Sequence, residues 1–408
     1  MSSPHACGVR VLVLSNGVTS AERQCYGLLR ALWPDADGAS HAQLLRVTHQ
    51  SFPAAALLRR LPAAVHVLAG SRFAGVDVAA LAAQADDALQ RDGLLSLVVA
   101  CGRDTVPAAA ALRAASPRAV VAVQLLHPRV SLSAFDLCVV PAHDAVAVDD
   151  EECVHRTLGV LHDFDAASLA AARARWAHAL ASSPRPLVAC LVGAPTANCP
   201  FDGAALARDV AALAADVERG GGCLRCALAC LRAAHARPAL THPFLLSICP
   251  SRRTPPGLLS ALRWAVMGVR CASLVPMSGD GNCYAGLLAW SDVLVVTADS
   301  ISMVSEASST ARVVICVRSL LSAENAPRPR HLQGASVKLL AAHHARGKLR
   351  RFLDALVASG TAQPWTSGAA LSEITRQCGQ QGLQEAAAAA AAVRRALDAR
   401  RAALGLAL

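Results

Sequence analysis

Short runs of Val, Leu and Ile alternate with longer alanine-rich stretches along most of the chain, and this alternation limits the possible folds more than any other feature. The longer stretches have helical periodicity, as in residues 21–32, 78–90 and 166–181. Runs that are apolar throughout and separated by helices indicate parallel strands covered on both faces of their sheet. The predicted strands are residues 9–14, 65–68, 95–100, 120–126, 137–140, 187–192, 244–249, 272–275, 293–297 and 313–317.

The strand pattern restarts near residues 184–186, and a chain of 408 residues is long for a single domain. We therefore predict an α/β protein with two Rossmann-like, doubly wound parallel-sheet domains that face a cleft. The predicted domains cover residues 1–183 and 184–365, and a helical tail covers 366–408. The alanine run in this tail favours a helix rather than a linker.

The charge balance of the chain is basic, with 39 Lys and Arg against 29 Asp and Glu, which gives a net charge of +10. Such a balance fits phosphate-bearing ligands, nucleic acid or an anionic membrane surface, and a solvated protein surface also accounts for most of it. No nucleic-acid partner is expected, because aromatic residues do not interleave with Lys and Arg and the usual DNA-binding spacings are absent.

Cysteine usage indicates a reducing compartment. The chain has 15 cysteines, an odd number, and many lie inside apolar segments such as Leu137-Cys138-Val139, where a reduced thiol serves as a small hydrophobe. Since the first strand begins by Val9, we expect no secretory or transit peptide. No apolar run approaches the roughly 18 residues of a membrane-spanning helix, so any membrane contact is expected to be peripheral.

A metal site is not expected. Cys223, Cys226 and Cys230 fall on one helical face, and His235 and His242 follow them. Zinc needs four ligands that converge on one point, and a stripe of this kind is more often buried packing.

Polar residues follow the predicted strands of the first half, where doubly wound sheets bind their ligands. The loop that begins at Asn16 fits an anion cradle and fits an ordinary turn about equally well, since one glycine is weak evidence. Arg103 could bind an anion or pair with Asp104. The candidate catalytic residues are His143 and Asp144, although neighbours in sequence often point apart. The candidate ligand contacts of this half are Asn16, Gly17, Arg103, Gln124, His127 and Arg129.

The second half carries a denser polar set. We predict that Thr254 caps a helix, so that Arg252 and Arg253 lie beside its positive end, where guanidinium groups suit phosphate oxygens; a solvated turn is the alternative. We also predict that Ser302 caps the next helix and places Glu306 in its first turn. The candidate contacts of this half are Ser251, Arg252, Arg253, Thr254, Asn282, Thr297, Asp299, Ser300, Ser302, Ser305 and Glu306.

This second set predicts a nucleotide-sugar cradle. Exposed amides, serine hydroxyls and a carboxylate that could accept two sugar hydroxyls lie close together after one strand. Glu306 would then hold the ribose, and the arginine pair would hold the diphosphate. The alternative for Glu306 is a purely local role, in which its charge offsets the helix dipole.

Several segments, taken together and in order, resemble the "elongated mitochondria" fission proteins of plants and their bacterial relatives. The resemblance extends to about Trp365. The matching segments are Ser15-Asn16-Gly17 with Glu22, Gln24, Gly27 and Leu28; Val123-Gln124 with His127-Pro128-Arg129; Phe135-Asp136-Leu137; Pro141-x-His143-Asp144; Gly159-x-Leu161-His162; Gly193-x-Pro195-Thr196-x-Asn198-Cys199; Ser251-Arg252-Arg253-Thr254-Pro255; Leu288-Ala289-Trp290-Ser291-Asp292; and Thr297-Ala298-Asp299-Ser300-Ile301-Ser302-Met303-x-Ser305-Glu306-Ala307.

The resemblance implies a fold like that of type B glycosyltransferases, and no enzymatic activity is firmly attached to the family. It also implies a protein of the cytosol and of the cytosolic face of the mitochondrial outer membrane, bound there peripherally, that recruits a dynamin-related GTPase for mitochondrial fission. The alternative function is a glycosyltransferase-like enzyme or binding protein for a nucleotide-sugar, and no other cofactor is expected.

The predicted C-terminal helix carries four arginines that bear on the membrane question. They could rest on an anionic membrane surface, but packing of this helix against the domains is the favoured alternative. The four are Arg394, Arg395, Arg400 and Arg401.

Overall fold

The chain forms two compact units in the computed structural model. The first contains Met1–Asp165 together with Gln384–Leu408, and the second contains Ala166–Leu383. The residues that the structure describes are 8–34, 42–47, 76–144, 153–181, 187–219, 245–251, 253–267, 272–275, 282–310, 313–314, 339–340, 347–362 and 382–406.

The first unit has a six-stranded, fully parallel sheet in the order β2-β1-β3-β4-β5-β6. Every residue of β3 and β4 is buried, as the uninterrupted apolar runs predict. The elements are β1 (Val9–Ser15), α1 (Thr19–Leu32), β2 (Gln43–Arg46), α2 (Val78–Asp92), β3 (Leu95–Cys101), α3 (Val106–Ala115), β4 (Val120–Leu125), β5 (Leu137–Pro141) and β6 (Val154–Thr157).

The second unit has another parallel sheet, in the order β11-β10-β7-β8-β9, with β12 also paired to β10. The α/β class with two parallel sheets is thereby confirmed. The elements are α4 (Ala166–Arg175), α5 (Ala177–Leu180), β7 (Leu187–Val192), α6 (Gly203–Arg219), β8 (Leu245–Pro250), α7 (Pro256–Val266), β9 (Ala272–Leu274), α8 (Tyr284–Trp290), β10 (Val293–Thr297), α9 (Ile301–Ser308), β11 (Val313–Val314), β12 (Leu339–Leu340) and α10 (Gly347–Ala358).

Helix α11 (Glu385–Leu404) is part of the first unit and not a separate tail as predicted. Its buried Val393 and Leu397 join the core cluster that contains Leu28 and Leu29 of α1. At the start of the helix, the Glu385 carboxylate accepts hydrogen bonds from the backbone N–H groups of residues 158 and 159, at 2.8 and 3.3 Å. The alanine-rich face allows this close packing, which covers one face of the sheet.

The boundary between the units also differs from the predicted one at residue 183. Helix α4 packs on α8 of the second unit. The Arg173 guanidinium lies 4.1 Å from the Trp290 ring centroid, and the Trp290 indole N–H donates to the Arg173 carbonyl at 2.9 Å. A Cβ at Gly286 would lie 2.6 Å from the Trp176 ring, so glycine permits this contact. These aromatic contacts hold residues 166–181 in the second unit.

Most predicted strands are present, and β7 and β10 have the predicted bounds. Strands β2 and β6 were missed, because both are four-residue edge strands with a mixed polar sequence. The predicted strand over residues 65–68 lies outside the described residues.

Candidate ligand sites at the strand ends

The loop after β1 brings together the carboxyl ends of two neighbouring strands. The Asn16 side-chain amide donates to an Asp104 carboxylate oxygen at 3.1 Å, which joins this loop to the one after β3. Gly17 has φ of 81°, and a Cβ there would lie 2.8 Å from an Arg46 guanidinium nitrogen, so this position requires glycine. Glu22, which the sequence places back along its helix, instead accepts a hydrogen bond from the Ser15 hydroxyl.

Gln124 ends β4 inside the sheet and is fully buried. Its side-chain N–H₂ group lies 2.8 Å from the Leu125 carbonyl and 3.3 Å from the Gly102 carbonyl, so it ties β4 to the loop after β3. Its Oε1 atom is buried and accepts no hydrogen bond from any described residue. A buried acceptor of this kind marks a place where a ligand or a water molecule can donate. Arg103, by contrast, is exposed in the turn that follows Gly102.

The segment after β4 has an unusual backbone. Leu126 and Arg129 have φ of 67° and 65°, and they are the non-glycine residues with positive φ within the described ranges. Each such residue costs about 1–2 kcal/mol, and conformations of this kind cluster at functional sites. The His127 ring, which lies between them, accepts a hydrogen bond from the Arg129 backbone N–H at 3.0 Å. This backbone holds His127 in a fixed turn beyond the strand end.

The predicted catalytic pair lies in the turn after β5. His143 and Asp144 are 2% and 4% exposed. One Asp144 carboxylate oxygen lies 3.5 Å from the Arg129 guanidinium, which is itself more than half exposed. In this arrangement Asp144 anchors an exposed arginine, and the pair together is better suited to holding an anion than to removing a proton.

The second unit carries a buried hydrogen-bond network centred on Asp299. One carboxylate oxygen accepts from the Thr297 hydroxyl at 2.5 Å, and the other accepts from the Ala194 N–H at 3.1 Å. The Thr297 hydroxyl oxygen also accepts from the Gly193 N–H at 2.7 Å. Burial raises the pKa of Asp299, and the hydrogen bonds from Thr297 and Ala194 and the charge of Arg253 oppose that rise. The network ties the end of β10 to the loop after β7.

Glycine is required at position 193 for this network to form. A Cβ there would lie 2.2 Å from both carboxylate oxygens of Asp299. The Arg253 guanidinium reaches the same carboxylate at 3.3 Å, and more than half of its side chain is exposed to solvent. Asp299 is therefore sealed on its inner side and joined to a solvent-facing cation on its outer side.

Thr254 does not cap the helix as predicted. The cap residue of α7 is Pro255, and no side chain caps this helix. The Thr254 hydroxyl instead lies 2.9 Å from the Gly193 carbonyl and accepts from the Ser251 N–H at 2.9 Å. These backbone groups at the strand ends are closer partners than the helix terminus. Arg252 lies outside the described residues.

Ser302 is not a cap either. Ser300 caps α9, because its hydroxyl accepts from the Met303 N–H at 3.4 Å. The helix consequently begins at Ile301, and Ser305 and Glu306 fall in its second turn rather than its first. The dipole argument for Glu306 is therefore lost, since the effect falls off within the first turn.

Glu306 is nearly buried and has a partner that the sequence did not indicate. Its carboxylate accepts a hydrogen bond from the Tyr284 hydroxyl. The Tyr284 backbone N–H donates in turn to the Asn282 side-chain oxygen at 3.0 Å, so the predicted contacts Asn282 and Glu306 are linked through one tyrosine. The position of Tyr284 directly after a polar, glycine-containing loop was the available signal.

The structure thus gathers the predicted residues into separate sets. In the first unit, Asn16 joins the loop after β3, and Arg129 joins Asp144. In the second unit, one set surrounds Asp299 and another surrounds Tyr284. The cleft between the two halves stays a prediction.

Among the described residues, no cluster of three or more His, Cys, Asp or Glu side chains could hold a metal ion. The predicted cysteine stripe with its two histidines lies outside those residues. Within the same ranges, no helix combines the length and the apolar character needed to cross a membrane.

Two comparisons with solved structures show distant likeness. The UDP-GlcNAc 2-epimerase from Neisseria meningitidis bound to UDP-GlcNAc has a TM-score of 0.42 at 9% identity, covering 95% of this chain and 99% of that one. A glycosyltransferase from Rickettsia africae also has a TM-score of 0.42, at 8% identity, covering 97% and 98%.

The comparison with protein families is decisive. The model for "Mitochondrial fission ELM1" matches residues 20–328, which is most of the chain. The mitochondrial fission protein ELM1 of Arabidopsis thaliana is 28% identical over 447 aligned residues, covering 96% of this chain and 92% of that protein. The resemblance seen in the sequence motifs is confirmed, and the chain belongs to the mitochondrial fission ELM1 family.

Proposed function

We propose that this protein is a mitochondrial fission factor that recruits a dynamin-related GTPase to the cytosolic face of the mitochondrial outer membrane. The observation that carries the proposal is the family match over residues 20–328, together with alignment to the Arabidopsis thaliana protein along nearly the whole chain. The proposal assigns the two parallel-sheet units the role of a scaffold, and it requires no catalytic step.

Deletion of the gene tests the fission role. We expect longer and fewer mitochondria, and a smaller fraction of the GTPase on isolated mitochondria, because division would lack its recruitment step. Expression of the intact chain should restore both quantities. Mitochondria of normal length and number after deletion would contradict the proposal.

Protease treatment of intact mitochondria tests the location. A tagged copy that binds the cytosolic face should be digested without detergent, whereas a matrix protein should survive until detergent is added. Carbonate washing should release the tagged copy if its attachment is peripheral. Protection of the tag in the absence of detergent would rule out the proposed face.

Partner capture tests the recruitment step, and Trp264 is the first residue to substitute. It is 71% exposed at the end of α7, and exposed tryptophans are frequent binding hot spots. We expect Trp264→Ala to lower capture of the GTPase without lowering stability. Val18→Ala is the matched control, because Val18 is also an exposed apolar residue but lies in the first unit.

A second candidate function is binding of a nucleotide-sugar. The observation that favours it is the buried Gln124 Oε1 atom, which accepts no hydrogen bond from a described residue at a strand end where doubly wound sheets bind ligands. The arginine Arg129, held in a strained turn nearby in sequence, could neutralise a phosphate.

Calorimetry with a panel of nucleotide-sugars tests this candidate. If a ligand binds, Arg129→Gln should weaken binding, since Arg129 supplies the exposed guanidinium group beyond the strand end that carries Gln124. Asp354→Ala is the control, because Asp354 forms an exposed pair with Arg350 on α10. No binding at millimolar ligand would remove this candidate and leave the fission proposal unaffected.

A further inference from the structure

A groove of about 590 Å³ lies in the first unit between α11 and the amino-terminal ends of β5 and β6. It is therefore at the opposite end of the sheet from the strand-end loops described above. Its floor is a row of alanines on one face of α11, which are too short to fill the space. This row is Ala392, Ala396, Ala399 and Ala403.

The walls of the groove are partly apolar, from Leu137 and Val154, and partly cationic, from Arg395 and Arg400. One carboxylate lines it, that of Asp136. That carboxylate is already paired with two guanidinium groups, Arg400 at 2.7 Å and Arg113 at 3.1 Å. Asp136 is therefore neutralised by its two partners, and Arg395 adds a positive charge that no carboxylate of the lining balances.

Arg395 differs from the other three arginines of this helix. Arg394 donates to the Ala31 carbonyl at 2.9 Å, Arg401 donates to the Gly8 carbonyl at 3.0 Å, and Arg400 is held as described above. Each of these three anchors α11 to the unit. Arg395 is exposed and forms no hydrogen bond or ion pair with any described residue.

His155 supplies a second polar group to the groove. Its Nε2 atom is buried and has no hydrogen-bond partner among the described residues. Burial lowers the pKa of His155, and the positive charge of Arg395 lowers it further, so the ring is neutral at physiological pH. A bound anion would balance Arg395, and because Nε2 is closed to solvent, the imidazole ring must turn toward the groove before Nε2 can donate to that anion.

We propose that this groove binds a phosphate ester, with Arg395 as its charge partner and His155 Nε2 as its second hydrogen-bond partner. A guanidinium group matches the geometry of phosphate oxygens, and the alanine floor with Leu137 and Val154 accommodates the apolar part of the ester. The volume is within the usual range for a small-molecule site. A soluble phosphate ester and a phospholipid headgroup share this chemistry.

The test uses the intact protein and two probes. Glycerol 3-phosphate is titrated by calorimetry, and flotation is measured with phosphatidylcholine vesicles that do or do not contain phosphatidic acid. We expect Arg395→Gln to weaken binding about tenfold or more, the effect of removing one charged hydrogen-bonding group. Because Arg395 makes no bond to the described part of the fold, this variant should keep the native melting temperature.

Two further variants sharpen the test. Ala396→Leu fills the floor without changing charge and should also abolish binding. Arg156→Gln removes one positive charge from the same strand as His155; Arg156 is exposed and does not line the groove, so binding should stay within about twofold of the native value.

Each outcome supports or overturns the proposal. Arg395-dependent binding of glycerol 3-phosphate alone assigns a soluble ester, and Arg395-dependent binding of phosphatidic acid vesicles assigns a lipid headgroup. Equal losses with Arg156→Gln and Arg395→Gln would show general surface attraction and overturn the proposal. Absence of binding to both probes would overturn it as well.

Discussion

The strand-end sets of the two units are built in different ways. In the second unit, Asp299 is buried within a hydrogen-bond network, and among the described residues Arg253 connects it to solvent. In the first unit, the strand ends carry exposed guanidinium groups, a fully buried glutamine with one unused acceptor, and two non-glycine residues with positive φ. The network around Asp299 therefore contributes to the stability of the second unit. The strand ends of the first unit instead contain strained backbone and a buried oxygen that accepts no hydrogen bond from a described residue.

Because of this difference, substitutions in the two units should affect different properties of the protein. Changes around Asp299 should lower the stability of the second unit, because they leave buried donors without acceptors. Changes around Arg129 should have small effects on stability and should act mainly on ligand binding.

Gly193→Ala should be the most damaging substitution. Its Cβ would lie 2.2 Å from the Asp299 carboxylate, within a buried network that cannot move aside. We expect a loss of about 3 kcal/mol or more in the free energy of unfolding of the second unit, measured by denaturant titration. Gly257→Ala is the control: Gly257 lies in α7 of the same unit, without a positive φ and with no atom near its Cβ position, so this substitution should leave the stability unchanged or raise it by up to about 1 kcal/mol. Equal losses in the two variants would contradict the network.

His162 should make the first unit sensitive to acid. Burial lowers its pKa to about 4, from the ordinary histidine value of 6.5. The stability that the neutral ring contributes is fully present above pH 6.5 and is lost as the pH falls toward 4, which amounts to about 2 kcal/mol at pH 5.

His162→Asn tests this dependence. The amide oxygen should replace the ring nitrogen that accepts from the Phe164 N–H, while removing the titration. Amide hydrogen exchange of α1 at pH 7 and pH 5 should show a smaller acid-induced loss of protection in the variant. The comparison between variant and native protein is essential, since burial raises the pKa of Glu385 in the same unit. Identical pH dependence in the two proteins would refute the assignment to His162.

Asp299 should give the second unit the opposite pH dependence. Because its pKa is raised, the stability that protonation contributes is fully present below 3.8 and is lost as the pH rises through the raised value. Asp299→Asn should cost about 1.5 kcal/mol near pH 4, since the amide places an N–H₂ group against the Ala194 N–H or the Thr297 hydroxyl, where the native carboxyl group accepts. This cost should shrink at pH 7. Denaturant titrations at the two pH values provide the measurement, and a cost that grows with pH would contradict the raised pKa.

Substitution of Arg129 should have the smallest effect on stability, and the size of this effect depends on which residue replaces it. Its φ of 65° favours glycine, so Arg129→Gly should be more stable than Arg129→Ala by about 1 kcal/mol. Loss of the 3.5 Å pair with Asp144 is common to both variants and cancels in the comparison. Thermal unfolding of the two variants measures the difference directly. Equal stability would show that the turn relaxes in solution.

The sequence predicts most of the sheet framework because the residues of most strands form an apolar run that is recognisable by itself. Strands such as β7 and β10 are apolar throughout, so their bounds can be assigned without any knowledge of their neighbours. Strand β6 cannot be assigned in this way, because His155 and Arg156 interrupt the apolar pattern at a sheet edge. Its existence depends on pairing with β5, which is a long-range contact.

Side-chain roles at the strand ends were harder to predict for the same reason. Serine is a good helix cap, so the sequence offers both Ser300 and Ser302. The backbone geometry around Asp299 decides between them, and the carboxylate of Asp299 is held by a loop about a hundred residues earlier. Thr254 is likewise recruited by carbonyl groups at the end of β7. The Tyr284–Glu306 hydrogen bond also joins residues that are distant in sequence. Which residues gather at the strand ends was predictable, but their partners were not.

The first unit is assembled from both ends of the chain, since α11 completes a core that begins with β1. During synthesis, the ribosome releases the whole second unit before the helix that finishes the first one. The earlier part of the first unit therefore keeps an exposed apolar surface until α11 is made. This differs from the usual order, in which the domain that is made first also folds first. A truncation before Glu385 would remove α11 and leave the earlier part of the first unit without the helix that covers its core.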